Sequence, residues 1–359
     1  MNQGFIPGLD LAERFYAEAV RPILAEHFPD LAHSAALLGE GSDVLAYDTP
    51  QSTDHDWGPR LMLFLAEADH EAHRNAFDRM LRRKLPAEIH GYPTGFGRHD
   101  DGTTVMQTAG EGSIDHCVRI LTVDSFFRDI LGFSPTGRIR AADWVRVPQN
   151  RLLMLTAGRV FHDGLGRLAP LRAKLAYYPH DVWLYLLAAQ WRRIAQEEAF
   201  LGRCGQVGDD LGSRLIATRL ARDLMRICFL MERRYAPYLK WFGSAFARLD
   251  CAAELLPTFS EVLGADSWQA RQAHLSAAYE FVARKHNDLG LTPPLAPQVS
   301  PYYDRPFLVI HADRFVDALR AEIRSEEVLA LPEHLGSVDQ FLDSTDVLNF
   351  LDRLDALYG

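Results

Sequence analysis

Two aspartates one residue apart, Asp54 and Asp56, precede the apolar stretch Leu61 to Leu65, and eleven residues separate a Gly41-Ser42 pair from the first acid. Residues i and i+2 of an extended segment point to one side, so this spacing predicts that both carboxylates face a common divalent cation. Two hard oxygen ligands with a phosphate as third partner suit Mg²⁺, which keeps much of its octahedral shell as water or substrate oxygen. The Gly-Ser pair adds an uncluttered backbone and a hydroxyl, a combination able to cradle the phosphate tail of a nucleotide. His55, between the acids, is expected to point the other way, as a packing or hydrogen-bonding residue rather than a ligand. The same stretch also suits a solvated loop, because Thr49, Pro50, Ser52 and Thr53 are turn formers.

The elements around the acids decide between these readings. Ala35-Ala36-Leu37-Leu38 comes first, then Gly-Ser, then the aspartates, then Leu61-Met62-Leu63-Phe64-Leu65. Two short apolar runs with turn residues between them read as buried neighbouring strands, with the acids at the mouth of the second.

Composition narrows the function classes. A chain of 359 residues is long enough for two domains, each with a core. The net charge is −10, from 38 basic and 48 acidic residues, which speaks against an extended nucleic-acid surface but leaves room for a small anionic substrate. Cys117, Cys204, Cys228 and Cys251 lack the C-x-x-C spacing of structural zinc or a disulfide framework. No stretch reaches the roughly 18 apolar residues of a membrane span, and Met1 to Pro7 lack the basic start and apolar core of a signal peptide. The expectation is a soluble cytoplasmic protein with no membrane partner.

Organisation shifts near residue 140. Before it, helical spacing over Leu9–His27 is followed by the strand pair, a helix from Glu67 to Lys84, a β segment over Ala87–Tyr92 and a Gly-rich connection from Gly95 to Gly112. A strand over Ser113–Val123 and a helix through Phe126-Phe127 complete this half. Beyond it, Val182–Arg203, Ser213–Arg234, Tyr238–Leu249, Trp268–His286 and Arg314–Ser325 all carry apolar residues three and four apart. The fold class expected is α+β: a small mixed-sheet domain over residues 1–140 and a mostly α-helical domain over 141–359.

Gly41-Ser42, eleven residues and Asp54-His55-Asp56 resemble the signature of the nucleotidyltransferase superfamily, the DNA polymerase β-like fold. The longer blocks Thr53-Asp54-His55-Asp56-Trp57-Gly58-Pro59-Arg60 and Tyr235-Ala236-Pro237-Tyr238-Leu239-Lys240-Trp241-Phe242-Gly243 resemble the bacterial domain-of-unknown-function 4037 family, over most of the chain. The resemblance implies a nucleotidyltransferase-like α/β domain joined to a helical one. It implies that Asp54 and Asp56 bind two Mg²⁺ ions on a nucleoside triphosphate, while Gly41 and Ser42 hold its outer phosphates. It also implies a third carboxylate on a later strand, for which Asp115 and Asp124 are the candidates, with Arg119 an awkward neighbour on the same segment. A helical-domain lysine approaches the triphosphate in antibiotic nucleotidyltransferases, and Lys240 is the matching position.

The remaining candidates carry two readings each. Arg60 suits a phosphate fork or a surface position. Lys240 suits the triphosphate or a stem covering apolar surface. Glu197, or its neighbour Glu198, suits the general base that deprotonates an acceptor hydroxyl, or a solvated helix face. Asp209 and Asp210 read first as a helix N-cap. Gly336-Ser337 with Asp343 and Asp346 imitates the key signature without flanking strands. Three functions follow: a Mg²⁺-dependent transfer of a nucleoside monophosphate to a small-molecule or protein acceptor, a catalytically silent nucleotide-binding or interaction module, and a metal-dependent phosphohydrolase using His55-Asp56 and His99-Asp100.

Overall fold

The two apolar runs form strands buried on both faces: β1, His33–Leu37, and β2, Arg60–Leu65. Continuous apolar runs of this kind, without polar alternation, are what a doubly covered strand requires. The computed structural model describes residues 4–100, 102–108, 114–344 and 348. In it β2 pairs antiparallel with β1, Ala35 opposite Leu63 and Ala36 opposite Met62. On its other side β2 pairs in parallel with β3, Cys117–Thr122, Arg60 level with Cys117. A fourth strand, β4, Arg159–Asp163, runs antiparallel along the free edge of β1. The sheet is thus mixed, in the order β3-β2-β1-β4.

This topology gathers the chemistry. Because β1 and β2 are antiparallel, the residues leaving β1 and those entering β2 lie at one end of the sheet. Parallel pairing starts β3 at that same end. Gly41-Ser42, Asp54–Asp56 and Cys117 are therefore neighbours by construction.

Helices cover the sheet. α1, Gly8–Phe15, continues through a π turn, Tyr16–Val20, into Arg21–His27. α2, Glu67–Lys84, and α3, Val123–Leu131, follow β2 and β3. The core joins Leu11, Phe15 and Val20 to Leu63, Leu65, Phe77 and Leu81, all buried, each large side chain contributing about 1.5–3 kcal/mol by leaving water. α3 starts on a capping box, Ser125 N–H donating to Thr122 Oγ1 at 3.1 Å, and stops at left-handed Gly132.

The chain forms two units. One comprises Met1–Arg138 with Arg151–Ala176, the other Ile139–Asn150 with Tyr177–Gly359. The first crossing lies near residue 140, but residues 151–176 return to the first unit, because β4 takes its backbone partners from β1. The second unit is helical, built around α4, His180–Glu197, α5, Asp210–Met231, α6, Trp268–Asp288, and α7, Asp313–Glu322. Trp191 of α4 stacks on Phe315 of α7 at 4.3 Å, and Gln190 donates to the Asp223 carboxylate of α5 at 3.1 Å.

Several elements differ from the sequence reading. The expected Ala87–Tyr92 strand is two short pieces, Glu88–Ile89 and Tyr92–Pro93, folded on each other. Within the Gly-rich connection lies a hairpin, Gly95–Arg98 with Thr104–Gln107. The strand expected from Ser113 begins at Cys117, and Ser113 itself lies outside the described residues. The long helix expected from Val182 to Arg203 breaks after Glu197, where the buried Glu198 carboxylate accepts N–H bonds from Ile310 at 2.9 Å and Ala312 at 3.2 Å. Among the described residues, no helix is long and apolar enough to cross a membrane.

Candidate active site

The Gly-Ser corner is a tight turn. Tyr47 N–H donates to the Ser42 carbonyl at 2.8 Å and Ala46 N–H to that of Asp43 at 3.0 Å. Gly41 has φ +139°, and a Cβ there would overlap the Asp43 carboxylate and the Arg60 guanidinium, so both the conformation and the space require glycine. Arg60 forks onto Asp43, Nε to Oδ2 at 3.1 Å and Nη2 to Oδ1 at 2.6 Å, and Nη2 also reaches the Glu40 carbonyl at 3.1 Å. The phosphate-fork reading of Arg60 is thereby corrected: that edge of the guanidinium holds the corner itself in shape. Farther along, Asp48 Oδ2 receives Gly8 N–H at 2.7 Å and the Trp57 indole N–H at 3.0 Å, pinning the loop to α1.

The acids are presented by a short 3₁₀ turn, Pro50–Asp54, with Thr49 and Ser52 forming its capping box and proline in its first turn. Of Asp54, His55 and Asp56, His55 alone is extended; Asp56 takes φ +48°, a left-handed value that aspartate tolerates. This kink overturns the expected orientation of His55. Its Nδ1 lies 3.5 Å from Asp56 Oδ2 and its Nε2 lies 4.0 Å from Asp54 Oδ1, so the imidazole sits between the two carboxylates instead of behind them. Asp56 is stitched to the hairpin: Thr104 N–H and Oγ1 donate to Asp56 Oδ1 at 2.9 and 2.7 Å, and Asp56 N–H donates to the Thr104 carbonyl at 2.6 Å. Burial raises the Asp56 carboxyl, but these bonds and the one from His55 outweigh it and hold the group below the ordinary carboxylate range.

The donor chemistry suits a hard divalent cation. Both acids are open to solvent, at 68% and 55% of side-chain area. Among the described residues both pair with His55, whereas neighbouring Asp43 is buried against Arg60. Among the described residues no three His, Cys, Asp or Glu groups form a ready metal cage.

Asp115 lies near this end of the sheet but pairs with Arg82 of α2 at 2.8 Å, while Asp124 is bonded to Ser134 and to Arg128 of its own helix. Cys117 stands level with Arg60 in the parallel register, its thiol pushed up by burial and bonded to Thr104. Arg119 is exposed while Val118 and Ile120 are buried, the alternation that the sequence implied. Asp43, Thr104 and Cys117 are the site residues that sequence reading missed. Each is defined by tertiary neighbours, and only the Gly-Ser-Asp continuity of Asp43 offered a signal.

Glu197 and Lys240 belong to the second unit. Arg219 Nη2 donates to Glu197 Oε1 at 2.6 Å, and Glu197 Oε2 is buried. Glu198 is buried, which excludes the solvated-face reading for it. Lys240 is exposed, with Nζ 5.1 Å from the centroid of the Trp241 ring, a cation–π contact. Asp209 caps α5 as expected, accepting Gly212 N–H at 2.8 Å. Gly336-Ser337 starts a short helix, Val338–Phe341, and not a strand; Asp346 of that decoy lies outside the described residues.

A small mixed sheet with an acid pair at one end, joined to a separate helical unit, defines an α+β protein. Residues 144–242 match the family described as domain of unknown function (DUF4037). Of the two blocks that resemble that family, the match includes Tyr235–Phe242 and leaves Thr53–Arg60 outside. Among solved structures, a nucleotidyltransferase-like protein from Exiguobacterium sibiricum 255-15 aligns at 13% identity and a TM-score of 0.33, covering 76% of each chain. No curated protein matches the chain.

Proposed function

We propose that the protein is a Mg²⁺-dependent nucleotidyltransferase that moves a nucleoside monophosphate from a nucleoside triphosphate to a hydroxyl acceptor, a small molecule or a protein side chain, in the cytoplasm. One observation carries this reading: the glycine corner at the end of β1 and the open acid pair ahead of β2 share one end of one sheet. Asp54 and Asp56 would hold two Mg²⁺ ions, and the Gly41-Ser42 backbone and hydroxyl would receive the outer phosphates. When bound, the metal supplies neutralisation of charge on the triphosphate. The chain's own part is positioning: Thr104 fixes Asp56, and Arg60 fixes the corner through Asp43.

A second reading has a specific support. Asp115 is paired with Arg82, and among the described residues no third carboxylate joins the acid pair, which favours a module that binds nucleotide without turnover.

Calorimetry of Mg²⁺ and ATP, with a pyrophosphate assay beside it, tests both. Binding with pyrophosphate release upon supply of an acceptor supports the transferase, and binding without release supports the silent module. The Asp54→Ala, Asp56→Ala double variant is expected to lose metal-dependent triphosphate binding while keeping its circular dichroism. Parent-like binding by that variant refutes both.

A further inference from the structure

In the helical unit, Arg222 and Arg226 stand one turn apart on the same face of α5. Both are largely covered, with 27% and 16% of their side chains exposed. They share one acid, Asp343, which is itself 66% exposed. Arg222 Nη2 meets Asp343 Oδ1 at 2.8 Å, and Arg226 Nη2 lies 3.7 Å from the same oxygen.

One oxygen answers two guanidinium edges incompletely. On Arg222 the Nε–H points along the same edge as Nη2, yet among the described residues Nε is buried with no hydrogen-bond partner. On Arg226, Nη1 is likewise buried without a partner. A buried donor left unanswered is destabilising and calls for an ion or water to satisfy it. Two further described carboxylates near this pair have other partners as well. Asp223 accepts from Gln190 and Arg193, and Asp339 accepts from Gln149 N–H at 2.9 Å. Burial and the adjacent Arg222 charge hold the Arg226 guanidinium below its usual range, against the opposing pull of Asp223, Asp339 and Asp343.

We propose that Arg222 and Arg226 form a binding site for a phosphate-class oxyanion, and that Asp343 occupies it as an internal stand-in. A tetrahedral oxyanion offers several oxygens, so it can answer the Nε/Nη2 edge of Arg222 and the Nη1/Nη2 edge of Arg226 together, where a carboxylate gives one oxygen to both. The site lies wholly within the second unit and does not depend on the twin-acid reading.

The full chain, titrated with inorganic phosphate in the presence of a chelator, tests this by calorimetry. Removing the stand-in with Asp343→Ala is expected to tighten phosphate binding by roughly fivefold or more, since the competing charge is gone. Arg222→Lys keeps the charge but loses the fork and is expected to weaken binding roughly tenfold in the Asp343→Ala background. Asp343 is exposed and the lysine is conservative, so both variants retain the fold, which circular dichroism checks. AMP titrated in parallel separates the sources: binding of AMP and phosphate alike marks a site for a phosphoryl terminus, and binding of phosphate alone marks a site for the free ion. Asp343→Ala binding no tighter than the parent, or Arg222→Lys binding equally well, overturns the proposal.

Discussion

Arg60, the first residue of β2, grips Asp43, two residues past Gly41, through both carboxylate oxygens at 3.1 and 2.6 Å. Asp43 keeps only 1% of its side chain exposed and Arg60 18%. Asp43→Asn leaves a covered guanidinium without its counter-charge, so a loss of about 3–5 kcal/mol is expected. Urea unfolding of parent and variant measures it; a difference under about 0.5 kcal/mol, the size of an ordinary surface change, contradicts the assignment.

Gly41→Ala adds a methyl where φ is +139° and where Asp43 and Arg60 already stand. The strained backbone alone costs about 1–3 kcal/mol. The melting temperature is expected to fall, and triphosphate affinity to fall with it. Unchanged melting means that the corner relaxes without resistance.

Thr104→Val removes the hydroxyl donor to Asp56 Oδ1 and keeps the backbone one. The folded Asp56 carboxyl lies below its ordinary value, so its contribution to stability is present above that value and is lost as pH falls through the folded one. In the variant this loss is expected to begin at higher pH, with about 1 kcal/mol less stability at neutral pH. Carbon-detected NMR titration of Asp56 reads the change directly, and Thr104→Ser restores it. Identical titration curves in parent and valine variant exclude Thr104 as the group that holds Asp56.

Glu198 has the opposite sign. Burial pushes its carboxyl up from 4.5 to about 7 in spite of the N–H bonds from Ala312, Ile310 and His311. Between those values the folded chain binds more protons than the unfolded one, so stability falls as pH rises, by about 3 kcal/mol for this group. Glu198→Gln is expected to flatten that slope between about pH 5 and 7. Parallel stability curves for the two proteins count against it.

How much of this was legible in the sequence follows from which forces leave a local trace. β1 and β2 announced themselves because strands covered on both faces need unbroken apolar runs. β4 did not, since Arg159–Asp163 is a half-exposed edge strand whose stability comes from β1 and not from its own pattern. Gly41 and Ser42 beside Asp54 and Asp56 could be read from spacing. The direction of His55 could not, because it turns on the left-handed backbone of Asp56, which Thr104 holds from forty-eight positions away. The ion pairs of Arg60 and Glu197 were equally silent, as the partners Asp43 and Arg219 are neighbours only after folding.

Trp57, whose indole N–H meets Asp48 beside the acid loop, is the sole tryptophan of its unit among the six in the chain. That solitude makes it a ready-made reporter. With fluorinated tryptophan supplied during growth, a single fluorine line belongs to the sheet-bearing half, and its displacement on adding nucleotide would register an event at that corner with no dye attached.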